Sequence, residues 1–255
     1  MTGIGSSAGP GSCTRSAETG SVLGADYHRR VRLLRRRPKV FDVQVQDLVL
    51  RITAPDDLAE ESRAAALSFW EQLQSYGLRH PEFNSSKRPL QQVAVDASEI
   101  VKEVVSASSS AGVGPMFTFR GAVVDSVGRF LGQQTHDVTV ACDGDYYIRS
   151  KKRMKVQVRR HGGAPITVAL DGSRGVGVST TLGRGRGGQG PDGLAVIARS
   201  CMLADAAAAG VQACLLKPEG FGMALHYLQR VPGVRGGVVV VGERIGVAGA
   251  VEIAG

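Results

Sequence analysis

The sequence predicts an α+β fold, a layered mixed sheet with helices, and three observations carry that reading. Apolar and polar residues alternate over several short stretches, the period of a half-buried strand. Between them lie stretches with apolar residues at helical spacing. The two kinds of element do not follow a regular strand–helix–strand beat, which argues against a doubly wound parallel sheet. At 255 residues, 43% hydrophobic and 21% charged, the chain is long enough for a substantial core and too apolar for a fully disordered polypeptide.

Taken in order, residues 1–25 are Gly/Ser-rich without a period and read as a disordered tail, leaving 26–255 as a single domain. Phe41, Val43 and Val45 alternate with polar residues, and Leu48, Leu50 and Ile52 resume the alternation after Gln46-Asp47, predicting a hairpin. A helix follows Pro55-Asp56-Asp57, with Asp57 and Glu60 at capping-box spacing and Ala66, Trp70, Leu73 and Gly77 on one stripe. A second helix starts at Asp96, again with a Glu three residues on, and ends at Gly112-Val113-Gly114-Pro115. Pro115 suits the first turn of a third helix, through about Leu131. Strands are expected at 138–142, 146–148, 154–158, 166–170, 177–180 and 194–198, helices at 201–216 and 219–229, and a closing hairpin from 237–241 and 245–253.

Charge excludes some functions. The net charge is +8, but residues 1–39 carry eight Arg and Lys against Glu18 and Asp26, so the basicity is concentrated at the start. A second run holds Arg149, Lys151, Lys152, Arg153, Lys155, Arg159 and Arg160. Nucleic-acid binding asks for such runs with interleaved aromatics for stacking, and aromatics are only 5% of the chain. A solvated face, or a site for small phosphorylated molecules, accounts for the runs better. No stretch reaches 18 apolar residues, and the first 25 residues lack the apolar core of a signal peptide. Cys13, Cys142, Cys201 and Cys214 show no metal-ligand spacing, so they read as thiols of a cytoplasmic protein.

Four motifs carry chemistry, each beside a plainer reading. Gly112 and Gly114 before a helix permit close backbone approach to an anion at a helix start, or simply make a helix–helix turn. Asp143-Gly144-Asp145 is a hairpin turn, or sets a carboxylate at a strand end beside a ligand hydroxyl or a metal. Ser179-Thr180-Thr181, followed by six glycines within residues 183–193 and by Arg184 and Arg186, offers hydroxyls, amides and guanidiniums to phosphate, without the Gly-Lys-Ser/Thr of a P-loop. Asp205 opens an Ala-rich helix, where it complements the dipole or faces a cavity as a cation ligand. The five histidines are scattered, and no catalytic triad is visible.

These motifs, in this order, resemble those of a group of prokaryotic proteins distantly related to the FAD:protein FMN transferases (ApbE-like). The matching runs are His80-Pro81-Glu82-Phe83, Ala111-Gly112-Val113-Gly114-Pro115-Met116, Asp143-Gly144-Asp145, Gly177-Val178-Ser179-Thr180, Leu203-Ala204-Asp205-Ala206 and Gly233-Val234-Arg235-Gly236. The resemblance implies an α+β fold similar to the FMN transferase domain. It also implies a cleft built by Gly112, Gly114, Met116, Ser179, Thr180, Arg184 and Arg186, with FAD, FMN or a nucleotide bound and Asp145 and Asp205 at the reacting centre. Those transferases hold magnesium near an Asp with a Thr four residues later. Asp205 matches the Asp, but Ala209 stands at the Thr position and has no oxygen to offer. Phe117, Phe119 and Arg120 also stand where relatives carry small residues, adding bulk to the pocket.

Two functions follow as expectations. The first is an enzyme, transferase-like, acting on a small anionic or phosphorylated metabolite in cofactor or secondary-metabolite biosynthesis, as a homo-oligomer in the bacterial cytoplasm. The second is a non-catalytic module that uses the basic clusters on an acidic partner or nucleic acid, with affinity falling steeply with salt.

Overall fold

The expected hairpin opens the molecule: β1 (Lys39–Val45) pairs with β2 (Leu48–Ala54) around Gln46, whose φ is 54°. The computed structural model describes residues 37–160, 163–182 and 190–254. Residues 38 onward belong to one unit. The tail, the basic segment 29–36, and Arg184 and Arg186 lie outside the described residues.

Helices α1 (Ala59–Arg79), α2 (Pro81–Ser85), α3 (Glu99–Ala111) and α4 (Phe119–Leu131) follow, with a single 3-10 turn at Pro115–Thr118 before α4. The capping-box reading fails at both places. Helix α1 starts two residues after Asp57 with Leu58 at its cap, and Asp57 instead lies 3.7 Å from Lys39. Helix α3 is preceded by Ser98, and Asp96 pairs with Arg79 at 3.3 Å. In both cases the carboxylate lies beside a cation from elsewhere in the chain and makes no cap to the helix.

Strands β3 (Val138–Cys142), β4 (Asp145–Arg149), β7 (Val176–Leu182), β8 (Gly193–Ala198), β9 (Val234–Val241) and β10 (Arg244–Gly249) extend the hairpin into one sheet, ordered β1-β2-β3-β4-β7-β8-β9-β10. A smaller sheet, β11-β6-β5, comprises β5 (Arg153–Val158), β6 (Ile166–Asp171) and β11 (Glu252–Ala254). Every pairing is antiparallel. The stretch 245–253 is therefore not one strand. At Gly249 (φ 70°) the chain leaves β10, the Ala250 amide bonds the Arg235 carbonyl at 2.9 Å, and β11 crosses to β6.

Period-two alternation sorts the large sheet into two faces. Leu50, Ile52, Val140, Tyr147, Leu194 and Val196 face the helices, while Ile148, Val178, Ala195, Ile197 and Val238 face the small sheet. Strand β8, covered on both sides, is buried throughout, which explains its unbroken apolar run. Helices α5 (Cys201–Leu215) and α6 (Gly220–Arg230) complete the helical layer. Helix α5 is buried nearly all round, and its small side chains let neighbouring backbones approach closely.

Candidate functional site

Helices α4 and α5 run antiparallel and grip each other through two acids, the buried Asp125 and the partly buried Asp205. Asp125 in α4 accepts a hydrogen bond from the Cys201 amide, in the first turn of α5, at 2.5 Å. Asp205 in α5 accepts one from the Gly121 amide, in the first turn of α4, at 3.0 Å. Each helix thus supplies the carboxylate that satisfies an unpaired N–H at the other's positive end. Gly121 is required at this contact, because a Cβ there would stand 2.7 Å from the Asp205 Cβ and 2.8 Å from the Cys201 carbonyl oxygen. Burial pushes the Asp125 carboxyl up to about 6, against the pull of the Cys201 amide and of Arg129, whose Nε lies 3.0 Å from it. Arg129 also pairs with Glu103. A cavity of about 500 Å³ lies beside this end, lined by Asp125, Arg129, Arg174, Arg199 and Ser200.

At the other end stands a second acid, Asp145. The β3–β4 turn gives both Asp143 (φ 45°) and Gly144 (φ 95°) positive φ, the conformation of a tight two-residue hairpin. Asp145 leaves this turn facing the helices, opposite Ser179 of β7, whose side chain hydrogen-bonds it. The Arg120 Nε donates to Asp145 Oδ2 at 2.7 Å, and the same guanidinium lies 3.7 Å from Asp143. Burial raises the Asp145 carboxyl above the usual carboxylate range, with Arg120 and Ser179 opposing. Burial, and then the neighbouring Asp145, raise Asp205 well above that range, although the residue keeps some exposed surface. Burial works against the Arg120 charge, yet Asp145 and then Asp205 hold the guanidinium firmly protonated. Burial first, then Asp143, push the Cys142 thiol up to about 11, and burial and Asp145 raise Cys201 well above its usual value, so both stay protonated and neither is an activated nucleophile.

Thr180 lies on the opposite face of the sheet. Its amide and hydroxyl both donate to the Gly144 carbonyl, at 2.7 and 3.0 Å, closing the turn from the side of the small sheet. There a cavity of about 560 Å³ opens between the sheets, lined by Asp143, Gly144, Tyr146, Met154, Lys155, Arg159 and Thr180. Asp143 is common to this cavity and to the Arg120 cluster. The turn is the point where the two meet.

The structure brings Asp145, Asp205 and Ser179 together, and sets Thr180 across the sheet from them. The expectation of one hollow lined by Gly114, Asp145, Thr180 and Asp205 is corrected in this respect. The glycine run does not reach it either. Gly112 (φ 71°) stops α3, with its own and the Val113 amide returning to the Ser108 and Ser109 carbonyls. Gly114 is pressed against the Ser86 carbonyl, where a Cβ would collide. Met116 packs against the helical core. The Ser179 and Thr180 hydroxyls, spent on Asp145 and Gly144, are not aimed as phosphate donors. Arg120, read from sequence only as bulk, is a member of the cluster. A signal was present: a cation in the first turn of a helix opposes the dipole and calls for an acidic partner. Gly121 and Asp125 carried no local signal, because their roles come from a helix 76 or more positions away.

Comparison with known proteins places the chain in a family. The profile of the family described as AbpE bacteria matches residues 31–218. The chain belongs to that family. It is 26% identical over 221 residues to a UPF0280 protein of Methanopyrus kandleri, covering 81% of this chain and 88% of the relative. A UPF0280 protein of Methanococcus aeolicus is 26% identical over 190 residues, covering 69% and 76%. Among solved structures, the H257G mutant of the flavin transferase ApbE from Vibrio cholerae superposes with a TM-score of 0.55 at 10% identity, covering 86% of this chain and 97% of that one. The ApbE protein from Thermotoga maritima gives 0.52 at 12%, with the same coverage. The fold is that of the ApbE proteins. Among the described residues no helix is long and apolar enough to cross a membrane.

The magnesium implied by the resemblance does not fit these residues. Asp205 Oδ2 is engaged by the Gly121 amide, Ala209 offers no oxygen, and Arg120 already stands against Asp145 and Asp205. Thr118 Oγ1 is buried without a partner, but it is a single oxygen where a hard divalent ion asks for about six. Among the described residues no group of three or more His, Cys, Asp and Glu is arranged to hold a metal.

Proposed function

We propose that the protein is a transferase-type enzyme acting on a flavin nucleotide or a similar phosphorylated metabolite bound at the Asp143–Gly144 turn. The observation that carries this reading is the meeting, at that turn, of an amphipathic cavity with a buried acid–arginine cluster. Tyr146, Ile148 and Met154 make an apolar wall suited to a planar ring, and Lys155 and Arg159 supply charge at its rim for a phosphate. Thr180 has lone pairs left to accept from a ring N–H or a sugar hydroxyl. Behind the turn, Asp145 and Asp205 are the candidate proton-handling groups, positioned by Arg120, Ser179 and Gly121. Membership of the AbpE bacteria family and the ApbE fold support flavin over other nucleotides as the first ligand to try. Of the basic run 149–160, Arg149, Arg153 and Arg160 spend their guanidiniums on Gly132, Glu252 and Ala164, which argues against an extended polyanion surface.

The test is a fluorescence titration of FMN, FAD and ADP into the protein, repeated with Tyr146→Ala and Arg159→Ala. Saturable binding is expected, weakened about tenfold by either change, the equivalent of roughly 1.4 kcal/mol. Absence of saturable binding to all three ligands, or binding indifferent to both substitutions, overturns the reading.

A further inference from the structure

We propose that the Arg120 guanidinium is the resident cation of the Asp145–Asp205 site, standing in place of a divalent metal, so that the site takes up no magnesium. The inference concerns the acid cluster alone and stands whether or not the ligand is a flavin.

Three observations support it. Asp145 of β4, fully buried, and Asp205 of α5, partly buried, are close enough for the Asp145 charge to raise the cost of charging Asp205, so a positive charge beside them is favoured. Arg120 provides it, with Nε 2.7 Å from Asp145 Oδ2 and its charge felt by Asp205. The guanidinium is also held from the open side, 3.7 Å from Asp143, while its side chain stays 40% exposed. The Nε edge of the fork is therefore fixed inward on Asp145, and the other edge lies toward the exposed Asp143, so the guanidinium bridges the two acids of the turn as a bound cation would. A divalent ion cannot share this position. It would stand against a fixed positive charge with one Asp205 oxygen already occupied, and position 209 is an alanine. Ala209 and Arg120 thus act in the same sense at this site, the one withholding an oxygen ligand and the other supplying a protein-borne cation.

The test measures divalent ions on the protein without other ligand. Manganese is titrated and the free ion followed by its electron paramagnetic resonance, with magnesium as competitor. The unaltered protein is expected to show no saturable site up to about 10 mM, since too few oxygens are left for a hard cation. Arg120→Ala should open a site that binds manganese at least tenfold more tightly than the unaltered protein, and adding Ala209→Thr should tighten it further. Arg120→Met, which keeps most of the side-chain bulk, serves where the alanine variant does not fold, and circular dichroism checks both. Saturable sub-millimolar binding by the unaltered protein, lost with Asp205→Asn and weakened by Thr118→Val, overturns the proposal. So does a folded Arg120 variant that gains no affinity, because the arginine then fills no cation position.

Discussion

Replacing Asp125 by Asn isolates what the α4–α5 clamp costs near neutrality. Asp125 sits in the helix contact with its carboxyl raised from 3.8 to about 6 by burial, even though the Cys201 amide and Arg129 favour the charged form. Because the folded value lies above the unfolded one, the folded state binds the proton more tightly. The stabilising contribution is fully present below pH 3.8, declines as pH rises, and is lost above about 6. The difference between 3.8 and about 6 corresponds to roughly 3 kcal/mol of linked stability. Asparagine keeps an oxygen for the Cys201 amide, so the cap survives, and Arg129 keeps Glu103. Urea unfolding of both proteins at several pH values between about 3.5 and 7 reads the difference directly. The variant should gain about 3 kcal/mol relative to the parent across that range, with most of the change between pH 4 and 6. Parallel stability curves would refute the reasoning, showing that Asp125 is charged in the folded protein at no cost.

Three further changes test the packing that positions the site. Gly121→Ala forces a methyl against Asp205 and the Cys201 carbonyl, and should lower stability by about 1–3 kcal/mol in thermal unfolding, since α4 must shift away from α5. Gly114→Ala drives a Cβ into the Ser86 backbone, which cannot swing aside as a side chain would, so at least a comparable loss by the same measurement is expected. Leu203→Ala removes a fully buried side chain of α5 and should cost about 2–5 kcal/mol, whereas Val49→Ala, at a residue 51% exposed, should stay within about 0.5 kcal/mol in chemical denaturation.

Much of the fold was legible because its signals are local. Alternation at 41–52 and Asp-Gly at 143–144 are each written within a few residues, and the hairpins formed where those signals stood. Strand ends slipped where the deciding contact was distant: nothing near Gly249 announces that β11 joins β6 some eighty residues earlier in the chain. The acids Asp145 and Asp205 were legible as candidates because a carboxylate beside a turn, or at the start of an alanine-rich helix, is a local feature. Their partner Arg120 was legible only as a first-turn cation in want of an acid, because which acid it meets depends on a residue 25 positions later. Thr180 shows the reverse failure. Adjacent in sequence to Ser179, it shared one predicted role with it, yet the strand's period of two sends the two side chains to opposite faces.

The ligand is proposed to lodge at the Asp143–Gly144 turn. A crystal structure of the protein with FMN bound tests it most directly. The ring should lie against Tyr146 and Met154 with the phosphate near Lys155 and Arg159. Ordered FMN in the cavity beside Asp125, Arg174 and Arg199, with the space between the sheets filled by solvent, would contradict it.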